Sequence, residues 1–145
     1  EEKNARDEFE VPFWLALELK DNGLARFISV GITSEEWTKI HFREKFNPLG
    51  PLTSLPSDFY KRAYISLTLS KRDFENNINK REIFNRQWAR FRDILESRIG
   101  KVTRMASAET SQNPKRLETE EKILFESLNK MITKWRNDLR LIGET

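Results

Sequence analysis

The chain has no cysteine and a single histidine, His41. Without cysteine there are no disulfides, thiolate zinc sites or cysteine nucleophiles. One imidazole cannot build a histidine-based metal cluster, and His41 follows a helical segment, where a surface or packing role is expected. Glycine is scarce. Gly23, Gly31, Gly50, Gly100 and Gly143 are scattered, so no phosphate-cradling loop exists, and no GxSxG elbow is present. No apolar run approaches the roughly 20 residues that span a bilayer, and no signal peptide is visible. The expectation is a soluble, intracellular protein with no membrane association and no cofactor. No internal repeat or low-complexity tract occurs.

What is present is charge and aromatic bulk. Of 145 residues, 34% are charged, and ten Phe, four Trp and two Tyr supply most of the core-forming capacity. The net charge of +3 is unevenly spread. Glu1 to Glu10 holds five acids against two bases, whereas Lys80 to Arg104 holds eight bases against three acids. The basic stretch suits nucleic acid or an acidic partner, or is simply a solvated helix face.

Along the chain, Pro12 suits a first helical turn, Phe13 to Asn22 read as a short helix, and Gly23 supplies its left-handed stop. Leu24 to Ile32 form a β-prone run and predict one short strand. Ser34, followed by Glu35 and Glu36, predicts a hydroxyl-capped helix carrying Trp37, Ile40 and Phe42. Asn47 to Pro56, with three prolines and a glycine, read as a linker. Ser57 is the expected cap of a helix with Tyr60, Ala63, Tyr64 and Leu67 on one face, ending near residues 70–72.

Two long helices follow. The first, over about Lys80 to Met105, carries Phe84, Trp88, Phe91, Leu95, Ile99 and Val102 at helical spacing. The second starts at about Glu118 and reaches about Ile142, with Leu124, Leu128, Met131, Trp135 and Leu139 in its stripe. Residues 106–116 between them are small, polar and loop-like. Ile83, Ile94, Phe125 and Ile132 widen these stripes beyond a two-helix seam. The surplus fits either a thicker internal bundle or packing against other chains. The fold class expected is mainly α: a small α/β segment at 1–46, a linker at 47–56 and a helical bundle domain at 57–145.

Candidate chemistry is thin. Acidic pairs such as Glu35/Glu36 and Glu120/Glu121 fall at helix starts, where the helix dipole accounts for them. No catalytic, metal or cofactor residues are expected, and no enzyme activity. Arg86, Arg90, Lys101 and Arg104 are candidate contacts for DNA or an acidic partner, although no recognition-helix motif supports them.

Three stretches, in order, resemble one family. "VPFWLALELK" (Val11 to Lys20) is similar to the proline-aromatic-Trp-Leu-Ala segment of GINS subunits. "LPSDFYKRAYISL" (Leu55 to Leu67) resembles the start of their helical domain. "LETEEKILFESLNKMITKWRNDL" (Leu117 to Leu139) resembles their closing helix, entered through an acidic turn. The order, β-containing segment first, resembles the second-and-third subunit branch, including the single archaeal form that stands for both.

The resemblance implies a non-catalytic scaffold in a heterotetramer with other GINS subunits, joined to the MCM motor and a RecJ-like protein in the replicative helicase. It also implies chromosome association, in an archaeal cytoplasm or a eukaryotic nucleus. Members of this branch carry several strands before the Trp-Leu-Ala segment, so a truncated or reduced small domain is expected here. The residues expected to pack against sister subunits or the chain's own core are Phe13, Trp14 and Leu15, then Phe84, Trp88, Phe91 and Leu95, then Leu124, Leu128, Met131 and Trp135. The competing expectations are an independent basic helical DNA-binding module and an unrelated homo-oligomeric helical protein.

Overall fold

Helix starts and stops in this chain are written in a few backbone-capping residues. The computed structural model describes residues 4–28, 31–109 and 115–144. The described residues form five α-helices and one 3-10 turn, with no strand among them. The chain divides into two compact units, Glu1–Val30 and Gly31–Thr145.

In the first unit, α1 spans Phe13–Asp21 behind Pro12, whose φ of −52° already suits the helix. It ends in a Schellman motif. Gly23, at φ +69°, donates to Lys20 O, and Leu24 N donates to Leu19 O at 2.8 Å. The Phe13 and Phe27 rings lie 6.1 Å apart. The strand expected over Leu24 to Ile32 is not found in its described residues, and Ser29 and Val30 lie outside them. A β-prone run has nothing to pair with unless a second strand offers its edge, and no other described segment is a strand.

The second unit opens at Gly31, which adopts φ +98°. A Cβ there would stand 2.2 Å from Ser66 Oγ, so only glycine fits this close approach. Arg62 Nε and Nη2 donate to the Gly31 carbonyl at 3.1 and 2.9 Å. The Ile32 amide donates to Ser66 Oγ.

The helix α2, Ser34–Phe46, begins with a capping box built by Thr33 and Glu36, which corrects the expected Ser34 cap. Trp37 and Ile40 on α2 are buried together with Ile32, Leu55, Phe59, Ala63 and Ile94. The helix α3, Phe59–Asn76, starts after Asp58 in a left-handed turn at φ +54°, so Ser57 is not its cap. It also runs past the expected end at 70–72. Phe59, Ala63 and Ser66 are its buried row.

A 3-10 turn at Ile78–Lys80 leads into α4, Arg81–Ser107; α5 is Thr119–Gly143. At 1.5 Å per residue each long helix is close to about 40 Å in length. The central helix is α4, packed against α2, α3 and α5. Residues 47–56 are non-helical, as expected of a linker, but Leu52 and Leu55 are buried. Leu52 joins Val102 and Leu117 in a second core cluster, so this stretch is a packed part of the unit that begins at Gly31.

Candidate functional site

Beneath the surface, α4 carries two charged side chains that water does not reach. Arg98 is 1% exposed and Lys101 4%. An isolated charge in such a place costs several kcal/mol, on the order of the effective desolvation penalty, so each must be answered. Arg98 Nε and Nη2 grip Glu121 of α5 at 2.7 Å each, a bidentate fork. Its Nη1 reaches Glu44 Oε1 of α2 at 3.2 Å and the Thr53 carbonyl at 2.5 Å, while Nη2 also donates to the Arg116 carbonyl at 3.2 Å. Lys101 Nζ donates to Glu44 Oε2 at 2.7 Å.

The hydroxyls of Thr53 and Tyr60 donate to Glu44 and Glu121 at 2.5 and 2.8 Å, and the Ser97 hydroxyl and the Glu118 amide add further donors to the same two carboxylates at 3.3 and 2.9 Å. Two cations and two carboxylates thus tie α2, the 47–56 segment, α4 and the entry to α5 into one neutral cluster.

The electrostatics follow from the geometry. Burial pushes the Glu44 carboxyl up, but hydrogen bonds from Lys101 and Thr53, with the charges of Arg98 and Lys101, outweigh it and hold it below the usual carboxylate range. Burial opposes the Arg98 charge, yet the bonds and charge of Glu121 and the charge of Glu44 hold its pKa above the ordinary value. Burial and the Glu121 carboxylate keep the Tyr60 phenol protonated, far above its ordinary value. The two cations and two carboxylates are committed to one another. Among the described residues, no group of three or more His, Asp or Glu is placed to hold a metal.

The outer side of the same two helices is the reverse. On α5, Glu121 is the only buried residue. Phe125, Leu128, Asn129 and Ile132 are half-buried, and Asn129 Nδ2 donates to the Ala106 carbonyl of α4 at 3.1 Å. Further round, Leu124, Met131, Trp135 and Leu139 stand exposed, Met131 at 68% and Trp135 at 64%. Trp88 and Ile99 of α4 are exposed as well. A shallow groove between α4 and α5 is lined by the apolar side chains of Leu95, Ile99, Val102 and Leu124, with Tyr60, Arg98, Glu120 and Glu121 at its charged end. On α5, Leu124, Met131, Trp135 and Leu139 recur at helical spacing, an exposed apolar row of the kind that marks an interaction surface.

The residues expected from the sequence are therefore sorted by the fold. Phe91 packs into the aromatic core, 6.3 Å from the Trp37 ring and 6.4 Å from that of Phe59. Phe84 is half-buried and stacked on Phe74 at 6.2 Å. Leu95 and Leu128 are half-buried, while Trp88, Leu124, Met131 and Trp135 are outward. In the first unit, Phe13 and Leu15 are half-buried and Trp14 is 66% exposed.

Of the four cations proposed for DNA or an acidic partner, Lys101 is corrected: its ammonium is committed to Glu44 inside the chain. Arg104 is exposed and donates to the Pro48 carbonyl at 2.7 Å, Arg86 is exposed and Arg90 half-buried. Arg98, Glu44 and Glu121 were not foreseen. The available signal was aliphatic flanking: Arg98 has Ile94 and Val102 four residues to either side, and Glu44 follows Ile40 by four.

A helical unit that buries its charges and leaves its longest apolar face open has the build of one subunit of an assembly. The family model described as the GINS complex protein helical bundle domain, Sld5, matches residues 31–140. The chain belongs to this family, and the match begins where the second compact unit begins. GINS proteins act in chromosomal replication, with other GINS subunits as partners. No curated protein and no solved structure matched the chain. No helix among the described residues is long and apolar enough to cross a membrane.

Proposed function

We propose that this chain is a non-catalytic scaffold subunit whose α4–α5 face is covered by sister GINS subunits. The assembly works inside the cell on the chromosome, within the replicative helicase, alongside the MCM motor and a RecJ-like protein. The observation that carries the reading is the exposed row Leu124, Met131, Trp135 and Leu139 on a helix of a family that functions as a complex. Aromatic and methionine side chains are the types enriched where interfaces desolvate. The branch with the small domain first is supported by the order of the chain, a short unit ahead of the bundle.

Co-expression with sister subunits, followed by native mass determination, tests the reading. The expected result is a defined hetero-oligomer that Met131→Glu or Trp135→Glu disrupts. A chain that stays monomeric beside its sisters, or an assembly indifferent to both substitutions, would sink it.

A second reading, direct DNA binding through α4, is favoured by one observation. Arg86 is exposed on the same helix as Trp88, which is 45% exposed. Binding of labelled DNA by the isolated chain at two salt concentrations separates the two. Tight, strongly salt-dependent association that Arg86→Ala weakens would favour the DNA reading.

A further inference from the structure

The helix α2 has a second apolar surface that the α4–α5 face does not account for. Trp37, Ile40 and Glu44 point into the molecule. At about 100° per residue, Phe42 and Phe46 fall on the opposite side of the helix. They are 67% and 78% exposed, and Leu49, just past the helix end, is 80% exposed. The two phenyl rings pack against each other with centroids 5.7 Å apart.

Within residues 39 to 50 the exposed charge around them is positive. Between residues 39 and 50 the exposed charged side chains are Lys39, Arg43 and Lys45; the one carboxylate of that stretch, Glu44, is buried. Arg104 adds a further cation at the loop, on the Pro48 carbonyl. Two carboxylates from outside the patch lean in: Glu35 on Lys39 at 2.6 Å, and Asp93 on Lys45 at 3.5 Å and on His41 at 2.8 Å. Arg43 has only a long contact, 3.5 Å, to the Ser54 carbonyl.

We propose that this patch is a docking site for a short acidic segment of a partner protein, one carrying aliphatic or aromatic side chains between its carboxylates. The apolar side chains would cover Phe42, Phe46 and Leu49, and the carboxylates would meet Arg43, Lys45 and Arg104. Charge complementarity selects this occupant. A second copy of the same patch would bring like charges together. A nucleic-acid strand is disfavoured because the rings pack on each other instead of standing apart to receive successive bases.

The test uses the whole chain and a displayed library of random peptides of about 16 residues, the length of a typical docking segment. Selection is run on the natural chain and on the Phe42→Ala/Phe46→Ala variant, whose melting temperature reports its folding. Both residues are exposed, so the variant should melt with the natural chain. The expected result is enrichment of peptides rich in Asp and Glu with interspersed apolar residues. Their affinity should fall about tenfold or more on the double variant, as loss of an aromatic anchor produces, and should fall again on Arg43→Glu. Enriched peptides without acidic bias, or ones that bind the variant equally well, overturn the proposal. So does saturable binding of a thymidine oligonucleotide of about 20 nucleotides that the double variant abolishes.

Co-assembly of the double variant with sister subunits should be unchanged. Its loss would make the patch a subunit contact and overturn the docking site while leaving the scaffold reading intact.

Discussion

The two sides of α4 invert the usual placement of residue types. Inward, toward α2 and the start of α5, the helix buries Arg98 and Lys101 against Glu44 and Glu121. Outward, Trp88 and Ile99 of α4 and Met131 and Trp135 of α5 stand in water. Charge is thus spent on joining the chain's own segments, and apolar area is held in reserve. The difference teaches where specificity and where affinity reside. A bidentate fork tolerates little misplacement, so the buried cluster fixes how α2, the 47–56 segment and α5 meet. An apolar face is non-directional and suits a surface whose partner arrives later.

The sharpest way to break this contrast is Arg98→Ala. It leaves Glu44 facing Lys101 alone and Glu121 without its fork, and should cost about 3–5 kcal/mol, read by urea unfolding of the isolated chain. Trp135→Ala should act in the other place. It should weaken assembly with sister subunits by about 2 kcal/mol or more, while the stability of the isolated chain moves by less than about 0.5 kcal/mol. If Trp135→Ala unfolds the free chain instead, the outer face belongs to the core and the comparison fails.

Acid should dissolve one side and spare the other. The folded Glu44 carboxyl titrates below its unfolded value, which is about 4.3 for a free glutamate. Its contribution is present in full above the unfolded value and is lost as pH falls through the folded one. The melting temperature should therefore drop as pH falls below about 4, and Glu44→Gln should flatten that drop. Tyr60→Phe removes one hydrogen bond to Glu121 and should cost about 1 kcal/mol, by the same unfolding measurement. Smallest of all, Met131→Ser should shift the melting of the isolated chain within its error while lowering its tendency to self-associate, read by light scattering.

How legible these features were in the sequence depends on the range of the interactions that make them. The two long helices were readable because their period is local: Phe91 and Val102, or Phe125 and Ile132, repeat within the helix itself. The capping box was one residue off, since Thr33 and Ser34 are both competent hydroxyls and only the Glu36 side chain decides between them. The β-prone run at Leu24 to Ile32 misled because strand propensity is a statement about neighbours that the described residues do not supply.

The buried cluster was out of reach for the same reason. Arg98 meets Glu44 across 54 positions and Glu121 across 23, and no local pattern pairs them. Which stripe residues would face outward was equally hidden. Phe91 and Met131 look alike in a periodicity plot, yet one closes an aromatic core and the other is 68% exposed.

The open row on α5 has a consequence for supply. If sister subunits cover that row as proposed, a chain that displays Met131, Trp135 and Leu139 when alone would be a client for chaperones and proteases until they arrive. Anything that binds the folded chain withdraws it from that fate by mass action. The steady-state amount of this protein should then follow the scarcest sister subunit, not its own rate of synthesis. Surplus copies would then be short-lived, and turnover alone would hold the subunits of the complex in proportion.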